Sequence, residues 1–327
     1  MKNKLRPEIF LFEFATCGGE TPDSILVEGL GMFYTIYRDF ANFSNVRSFV
    51  RSEFKSIFNL PTTKNWRQSF IDCLDSEYAL IIAPEDDFLL LNLTKKIEKQ
   101  NLKNLGSSSK AIRVTSDKWE LYKKIKRKVN VPKTSKKPLN DKFIVKPRTS
   151  CGGEGIKLVK TSKIDKKHIA QEYIKGRNVS LSYIVGEDVS LLSVNEQIIK
   201  DFRYSGAIVP LEIEPKLLKE VNDECIKAID CIKGLFGYVG VDVILGEIPY
   251  IIEINARLTT PSILFKDAYG INLAKIIYDN YYSRVDVSQE KRGCFKLVKE
   301  KGNHGFVHAR GYSLVKYQLA SSSSNVV

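Results

Sequence analysis

Two acids that must face each other restrict this chain's fold more than any other feature. Residues Tyr238–Leu245 read as one β-strand and Tyr250–Asn255 as the next, with Gly246–Pro249 as the turn between them. Folding that hairpin symmetrically sets Asp242 opposite Glu253, and Asn255, two residues on, projects from the same face as Glu253. Like charges opposed across strands destabilise a sheet, so a fold that keeps this hairpin calls for a cation between them. Two carboxylates and an amide oxygen form a hard-oxygen set suited to Mg²⁺, with Mn²⁺ as a second candidate. The bland alternative is an edge hairpin with solvated acids. The run Ala256-Arg257-Leu258-Thr259-Thr260-Pro261 that follows weighs against it.

The chain has 327 residues, enough for two or three packed subdomains. The apolar run Ile9–Ala15 is preceded by basic residues, but it is short and carries Glu13. It reads as a buried strand rather than a signal peptide. No apolar stretch approaches the roughly 18 residues of a membrane span. Six cysteines without a CxxC pair fit a reducing cytoplasm. Of the net charge of +13, segment 118–142 alone supplies +8, from ten Lys or Arg against Glu120 and Asp141. That stripe lacks interleaved aromatic pairs and any recognition-helix or RNP pattern, so nucleic acid is not expected. A solvated lysine-rich face, or attraction of a small polyanion, accounts for it.

Along the chain, a strand Glu8–Ala15 is followed by the turn Thr16–Gly19. A helix capped by Asp23 or Ser24 then runs through Val27, Leu30 and Tyr34. Strands near 46–50 and at Tyr78–Ala83, with a helix over 88–105, predict a parallel, two-sided sheet. The connection Gly106–Ser109 marks a boundary, giving an N-terminal α/β domain over 1–108 and a second domain over 109–327. Within the second, Ser116 or Asp117 caps a helix and puts Lys118 in its first turn. Strands Lys142–Pro147 and Ile156–Val159 flank the loop Arg148–Gly155. Strands Ile169–Ile174 and Ser180–Ile184 flank Lys175-Gly176, and a helix covers 214–234 before the acidic hairpin. Paired strands without long intervening helices predict an α+β domain. The division inside it is placed at 190/191, and Ser321–Ser324 reads as a disordered tail.

The loop 149–155 carries Gly152, Gly153 and Gly155 after Thr149, Ser150 and Cys151. Glycines let backbone N–H groups close on an anion, yet no Walker or GxGxxG pattern accompanies them. Lys146, at the end of the preceding strand, strengthens the reading, because a buried strand seldom carries a lysine without an anion partner. Glu85 follows the strand 78–83 where open sheets present ligand-binding groups. Glu13 or Glu20, at the end of the first strand, is a candidate for holding a substrate amine. Cys151 reads as a small filler. His304 and His308 are four apart, but their glycine-rich context argues for strand or loop and against a metal site.

In order and separation, Lys118, Lys146, the glycine loop, Gln171-Glu172-Tyr173-Ile174, Asp242, Glu253, Asn255 and Arg257 resemble the ATP-grasp superfamily of carboxylate–amine ligases over roughly residues 110–262. That resemblance implies a fold of two lobes clasping ATP, with 109–190 as the central ATP lobe and 191–327 as the C-terminal lobe. It implies that Lys118 and Lys146 contact nucleotide phosphates, that Thr149, Ser150 and the three glycines close over them, and that residues 171–174 line the adenine pocket. Asp242, Glu253 and Asn255 match the metal ligands, and Arg257 and Lys146 the catalytic cations. Many members hold the ribose with a glutamate where this chain has Asn178, whose amide can accept the same hydrogen bonds.

The N-terminal runs FEFATCGGE, DSILVEGLGM, YALIIAPEDD and SDKWELY resemble a branch that includes the tyramine–L-glutamate ligases of archaeal methanofuran biosynthesis. The activity implied is joining of the L-glutamate γ-carboxylate to tyramine through an acyl phosphate. The segment around SVNEQII and FRYSGAIVP is also similar, and offers Asn195, Gln197, Arg203 and Tyr204 as substrate contacts beside Glu85. On this reading Arg203 or Arg257 anchors the glutamate α-carboxylate and Glu85 its α-ammonium. The partners expected are small molecules, with a homo-oligomer left open. A ligase for another amino acid and amine, or a nucleotide-binding regulator without turnover, are the competing readings.

Overall fold

A computed structural model describes residues 6–161, 163–288 and 290–320. The first unit is a parallel sheet in the order β2-β1-β3-β4, from β1 (Glu8–Glu13), β2 (Asn45–Arg47), β3 (Tyr78–Ile82) and β4 (Lys103–Asn104). Helices α1 (Asp23–Ala41), α2 (Trp66–Asp72) and α3 (Leu89–Lys99) connect its strands. Residues Ile9–Phe12 are fully buried, as a strand covered on both faces requires.

Strand β1 stops at Glu13 rather than Ala15. The Glu13 carboxylate accepts hydrogen bonds from the backbone N–H groups of Ala15 (3.1 Å) and Thr16 (2.7 Å), which turns the chain away from the sheet. The helix expected over 88–105 is shorter. It ends at Lys99, and Asn101 takes a left-handed φ of 57°, a conformation asparagine tolerates at helix ends; β4 follows.

Helices α4 (Ser109–Thr115) and α5 (Lys118–Ile125) lead into a small antiparallel sheet in the order β5-β8-β6-β7. Its strands are β5 (Thr134–Ser135), β6 (Phe143–Pro147), β7 (Lys157–Val159) and β8 (His168–Glu172). This sheet has its own minor core of Phe143, Val145 and Ala170. The large sheet is antiparallel in the order β13-β12-β9-β10-β11-β14-β16-β15. It contains β9 (Arg177–Val185), β10 (Val189–Lys200), β11 (Arg203–Val209), β12 (Gly237–Leu245), β13 (Pro249–Asn255), β14 (Cys294–Lys301), β15 (Val307–Ala309) and β16 (Tyr312–Leu319). Helices α6 (Pro215–Asp230), α7 (Phe265–Tyr269) and α8 (Leu273–Asp279) accompany it.

Because β9 pairs with both β10 and β12, the two sheets part at residues 173–176. The division placed at 190/191 falls inside a hairpin of the large sheet. Strand β16 continues through Gln318 to Leu319, and the serine-rich tail expected at 321–324 lies outside the described residues. The N-terminal sheet and the large sheet share one core. Helix α1 is the joint between them. A Cβ on Gly31 would lie 2.7 Å from the Leu314 side chain and 2.8 Å from that of Ile263, so only glycine lets the large sheet seat on this helix.

Candidate active site

The acidic hairpin forms with Asp242 opposite Glu253, but not through the symmetric turn expected. Near the turn Leu245 pairs with Pro249 and Val243 with Ile251, and a bulge restores the Asp242–Glu253 register. The bulge keeps both acids on one face.

Helix α5 brings the first cation. Asp117 is its N-cap, accepting from Trp119 N (3.0 Å), and it also accepts from the Arg148 guanidinium (Nε 3.1 Å). That ties the helix start to the end of β6, and Lys118 N donates to the Arg148 carbonyl at 2.9 Å. Lys118 Nζ therefore reaches Glu253 (3.4 Å) and donates to the Ser150 carbonyl (2.7 Å). Lys146, fully enclosed on β6, lies 3.5 Å from the same Glu253 oxygen. Burial alone would raise the Glu253 carboxyl, but Lys118 and Lys146 outweigh it and hold it below the usual range. Burial, and then Lys118, lowers Lys146 to about 8 despite Glu253.

Asp242 is in the opposite situation. Burial, reinforced by Glu253, lifts it from an ordinary 3.8 to about 7. Its oxygens accept from Gln197 Nε2 (2.9 Å) and Asn255 Nδ2 (3.1 Å). Among the described residues no lysine or arginine pairs with it. The Asn255 amide oxygen accepts no hydrogen bond there either. A half-buried carboxylate with no ion-pair partner, beside a second carboxylate and an amide oxygen, fits a divalent ion.

Lys146, Gln197, Asp242, Glu253 and Asn255 line a cavity of about 570 Å³, with Lys118 just behind its wall; it runs from Gln171–Gly176 and Asn178, between the sheets, to Glu13, Gly29 and Met32 of the N-terminal unit. Gln171 is buried, while Glu172 and Tyr173 are exposed at the rim. The glycine loop covers the cavity. Gly152, Gly153 and Gly155 have φ of 64°, 80° and 74°, and a Cβ on Gly153 would lie 1.9 Å from the Phe202 carbonyl in the β10–β11 turn. The loop thus rests on the large sheet, with Arg203 3.8 Å from Glu154. Ser150 is buried and holds Lys118, whereas Thr149 is half-buried and Gly155 faces solvent; none of these three lines the cavity. Burial, with Glu85 and Asp86 nearby, pushes the Cys151 thiol well above its usual value, as expected of a filler rather than a nucleophile.

Several residues expected to touch substrate sit elsewhere. Asn195 is fully buried outside the cavity, its amide bonded to the Ser180 carbonyl (3.2 Å), Ser182 Oγ (3.1 Å) and Ser193 Oγ (2.7 Å). Its strand neighbours consume its donors, so it is structural. Gln197 does line the cavity, where it donates to Asp242. Arg203 is exposed on the loop side. Glu85, expected to hold a substrate ammonium, instead forms a bidentate pair with Arg257 (Nε and Nη2, both 2.7 Å). Burial works against the Arg257 charge, and Glu85 more than restores it. Tyr204 does line the cavity, and among the described residues its buried hydroxyl meets no group at hydrogen-bond geometry, with Thr260 nearby. Glu20 is exposed beside Arg51. His304 bonds Glu300 from a loop, while His308 lies on β15. Sequence reasoning missed Glu28, which pairs with Lys299 of β14 and accepts from Thr260 Oγ1 (2.8 Å). Nothing local marks residues so far apart as partners.

The comparisons agree with this architecture. A pre ATP-grasp 3 domain matches residues 49–112 and an ATP-grasp domain residues 115–261. Tyramine–L-glutamate ligase from Methanocaldococcus fervens is 40% identical over 77% of this chain and 87% of its own length. The enzyme of that name from Methanocaldococcus jannaschii is 40% identical over 77% and 82%. The crystal structure of an ATP-grasp superfamily protein from Archaeoglobus fulgidus superposes with a TM-score of 0.86 and 47% identity, covering 96% of this chain and all of that one. With its parallel N-terminal sheet, its two antiparallel sheets and its cavity between them, the chain belongs to the ATP-grasp family of carbon–nitrogen ligases.

Proposed function

We propose that this enzyme joins the γ-carboxylate of L-glutamate to tyramine at the expense of ATP. The observation that carries the nucleotide site is the convergence of Lys118 and Lys146 on one oxygen of Glu253, opposite an Asp242 that forms no ion pair among the described residues. Two lysines facing one carboxylate leave positive charge for phosphate oxygens, and Asp242, Glu253 and Asn255 would hold a divalent ion. When bound, that ion neutralises phosphate charge. The glutamate and tyramine assignment rests on the two curated relatives.

A carboxylate is a poor electrophile, because its charge repels amines and its oxygen does not leave. Attack by the γ-carboxylate oxygen on the terminal phosphorus of ATP expels ADP and gives an acyl phosphate. The neutral amine then attacks the acyl carbon, phosphate departs, and the amine loses its proton. Positioning and charge neutralisation supply most of the catalysis of phosphoryl transfer. Here Lys118, Lys146 and Arg257 provide the charge. The glycine loop resting on the Phe202 carbonyl excludes water that would hydrolyse the intermediate.

The test incubates the protein with ATP, Mg²⁺, glutamate and a panel of amines, reading ADP release and product mass and linkage. Tyramine should give a γ-linked amide in step with ADP. Tyrosine should be rejected, since its carboxylate would be desolvated without a partner. An α-linked product, or tyrosine turned over as fast as tyramine, sinks the substrate assignment and leaves the ligase fold untouched.

A further inference from the structure

Apart from Glu172 and Asp201, which are solvent-exposed, the carboxylates around the cavity divide by whether they form an ion pair. Glu253 faces Lys118 and Lys146, Glu85 faces Arg257, and Glu28 faces Lys299. Asp242 and Glu13 form no ion pair among the described residues; Arg257 acts on both carboxylates only from beyond contact distance. Asp242 belongs to the candidate metal set, which leaves Glu13 without an assigned charge. Its residue is 3% exposed and lines the cavity. Among the described residues its oxygens accept only from Ala15 N, Thr16 N and Thr16 Oγ1 (2.6 Å). Helix α1 is shaped around it, because a Cβ on Gly29 would lie 2.6 Å from both oxygens.

We infer that Glu13 is the receptor for the α-ammonium of the amino-acid substrate. A buried carboxylate calls for a positive partner, and three occupants compete. A metal is disfavoured, since hard cations want several oxygen ligands and the neighbouring Glu28 is spent on Lys299 and Thr260. A proton alone would leave a neutral acid with no reason to open onto a cavity. An ammonium needs one strong acceptor and fits. Of the two substrate ammoniums, the nucleophile must arrive neutral, and a carboxylate partner would keep it charged. The non-reacting α-ammonium is the one to hold. Arg257 lines the same cavity and retains guanidinium N–H groups beyond those given to Glu85 and Leu258, so both signs of an amino-acid zwitterion find a complement.

This inference rests on the amino-acid ligase reading, and one comparison tests it. Turnover is measured with glutamate and with glutarate, which lacks only the amino group. Wild type should prefer glutamate by about 100-fold or more in kcat/KM, as sites built to bind a polar group reject analogues lacking it. Glu13→Gln should erase most of that preference by raising the KM for glutamate, with the KM for tyramine unchanged. Gly29→Ala, which crowds the carboxylate from α1, should narrow the preference too, and carries the comparison if Glu13→Gln fails to fold. An unchanged glutamate-to-glutarate ratio in the folded variants, or a rise in the tyramine KM instead, overturns the inference. If wild type uses a different α-amino acid, the glutamate reading fails while the same comparison proceeds with that acid and its desamino analogue. If no α-amino acid is used at all, both fall.

Discussion

A carboxyl lifted from 3.8 to about 7 makes the stability of the metal-free protein depend on pH in a definite direction. Between those values folded Asp242 keeps a proton that the unfolded chain has lost, so stability falls as pH rises; above 7 the penalty is constant. Asp242→Asn removes it. The variant should melt above wild type without metal, by about 2–4 °C per kcal/mol relieved. The gap should widen from pH 5 to 7 and then level off. Adding Mg²⁺ and ADP should reverse the order and the variant should lose turnover, which scanning fluorimetry and ADP release would read. A variant that melts at or below wild type at pH 8 would show that the acid is not strained. For the neighbouring cation, Lys146→Ala should weaken ATP binding by about 10–100-fold, the loss of a charge-assisted contact. Lys136→Ala, an exposed residue over the Trp119 ring at 5.2 Å, should change it less than about twofold. Equal effects in titration calorimetry would point to diffuse attraction by the basic stripe.

The glycine loop and the β10–β11 turn act together as elements. Gly153→Ala combines a φ of 80° with a Cβ 1.9 Å from the Phe202 carbonyl, and backbone cannot yield as a side chain does. Gly152→Ala shares the positive φ, at 64°, but its Cβ would meet the end of the flexible Ile25 side chain at 3.0 Å rather than backbone. We expect Gly153→Ala to hold the loop off the turn and admit water, lowering amide formed per ADP released by about tenfold or more. Gly152→Ala should stay nearer wild type, and equal coupling ratios in both would dismiss the loop as a seal. Elements like these were legible in outline because their signals are local. The hairpin needed only alternation and a turn, although the bulge beside Asp242 has no sequence mark. Asn195 and Gln197 share a strand face by the same alternation. Yet one is buried among serines and the other reaches Asp242, because the pattern does not say where a sheet's covered surface ends and a cavity begins.

At the scale of the whole molecule, the decisive contact joins residues 172 positions apart, Glu85 of the N-terminal unit and Arg257 after β13. No spacing rule could pair them. From sequence alone each reads as a candidate anchor for one charge of glutamate, whereas the fold spends Glu85 on aiming Arg257. Both are nearly enclosed, at 9% and 13% side-chain exposure, so breaking the pair leaves a buried charge alone, at roughly 3–5 kcal/mol. Glu85→Gln and Arg257→Met should each destabilise the protein strongly. The double variant should lose less than their sum, by a coupling of about 1–3 kcal/mol in denaturant unfolding. Catalysis separates the two roles of Glu85. If it orients Arg257, Glu85→Gln should lower kcat by about 10-fold or more while the KM for glutamate moves little, and Glu85→Asp should restore part of kcat. If Glu85 held the substrate ammonium, the KM for glutamate would rise and the two sites would show no coupling. That outcome would return Glu85 to the substrate and leave the N-terminal unit without a hand in positioning the catalytic cation.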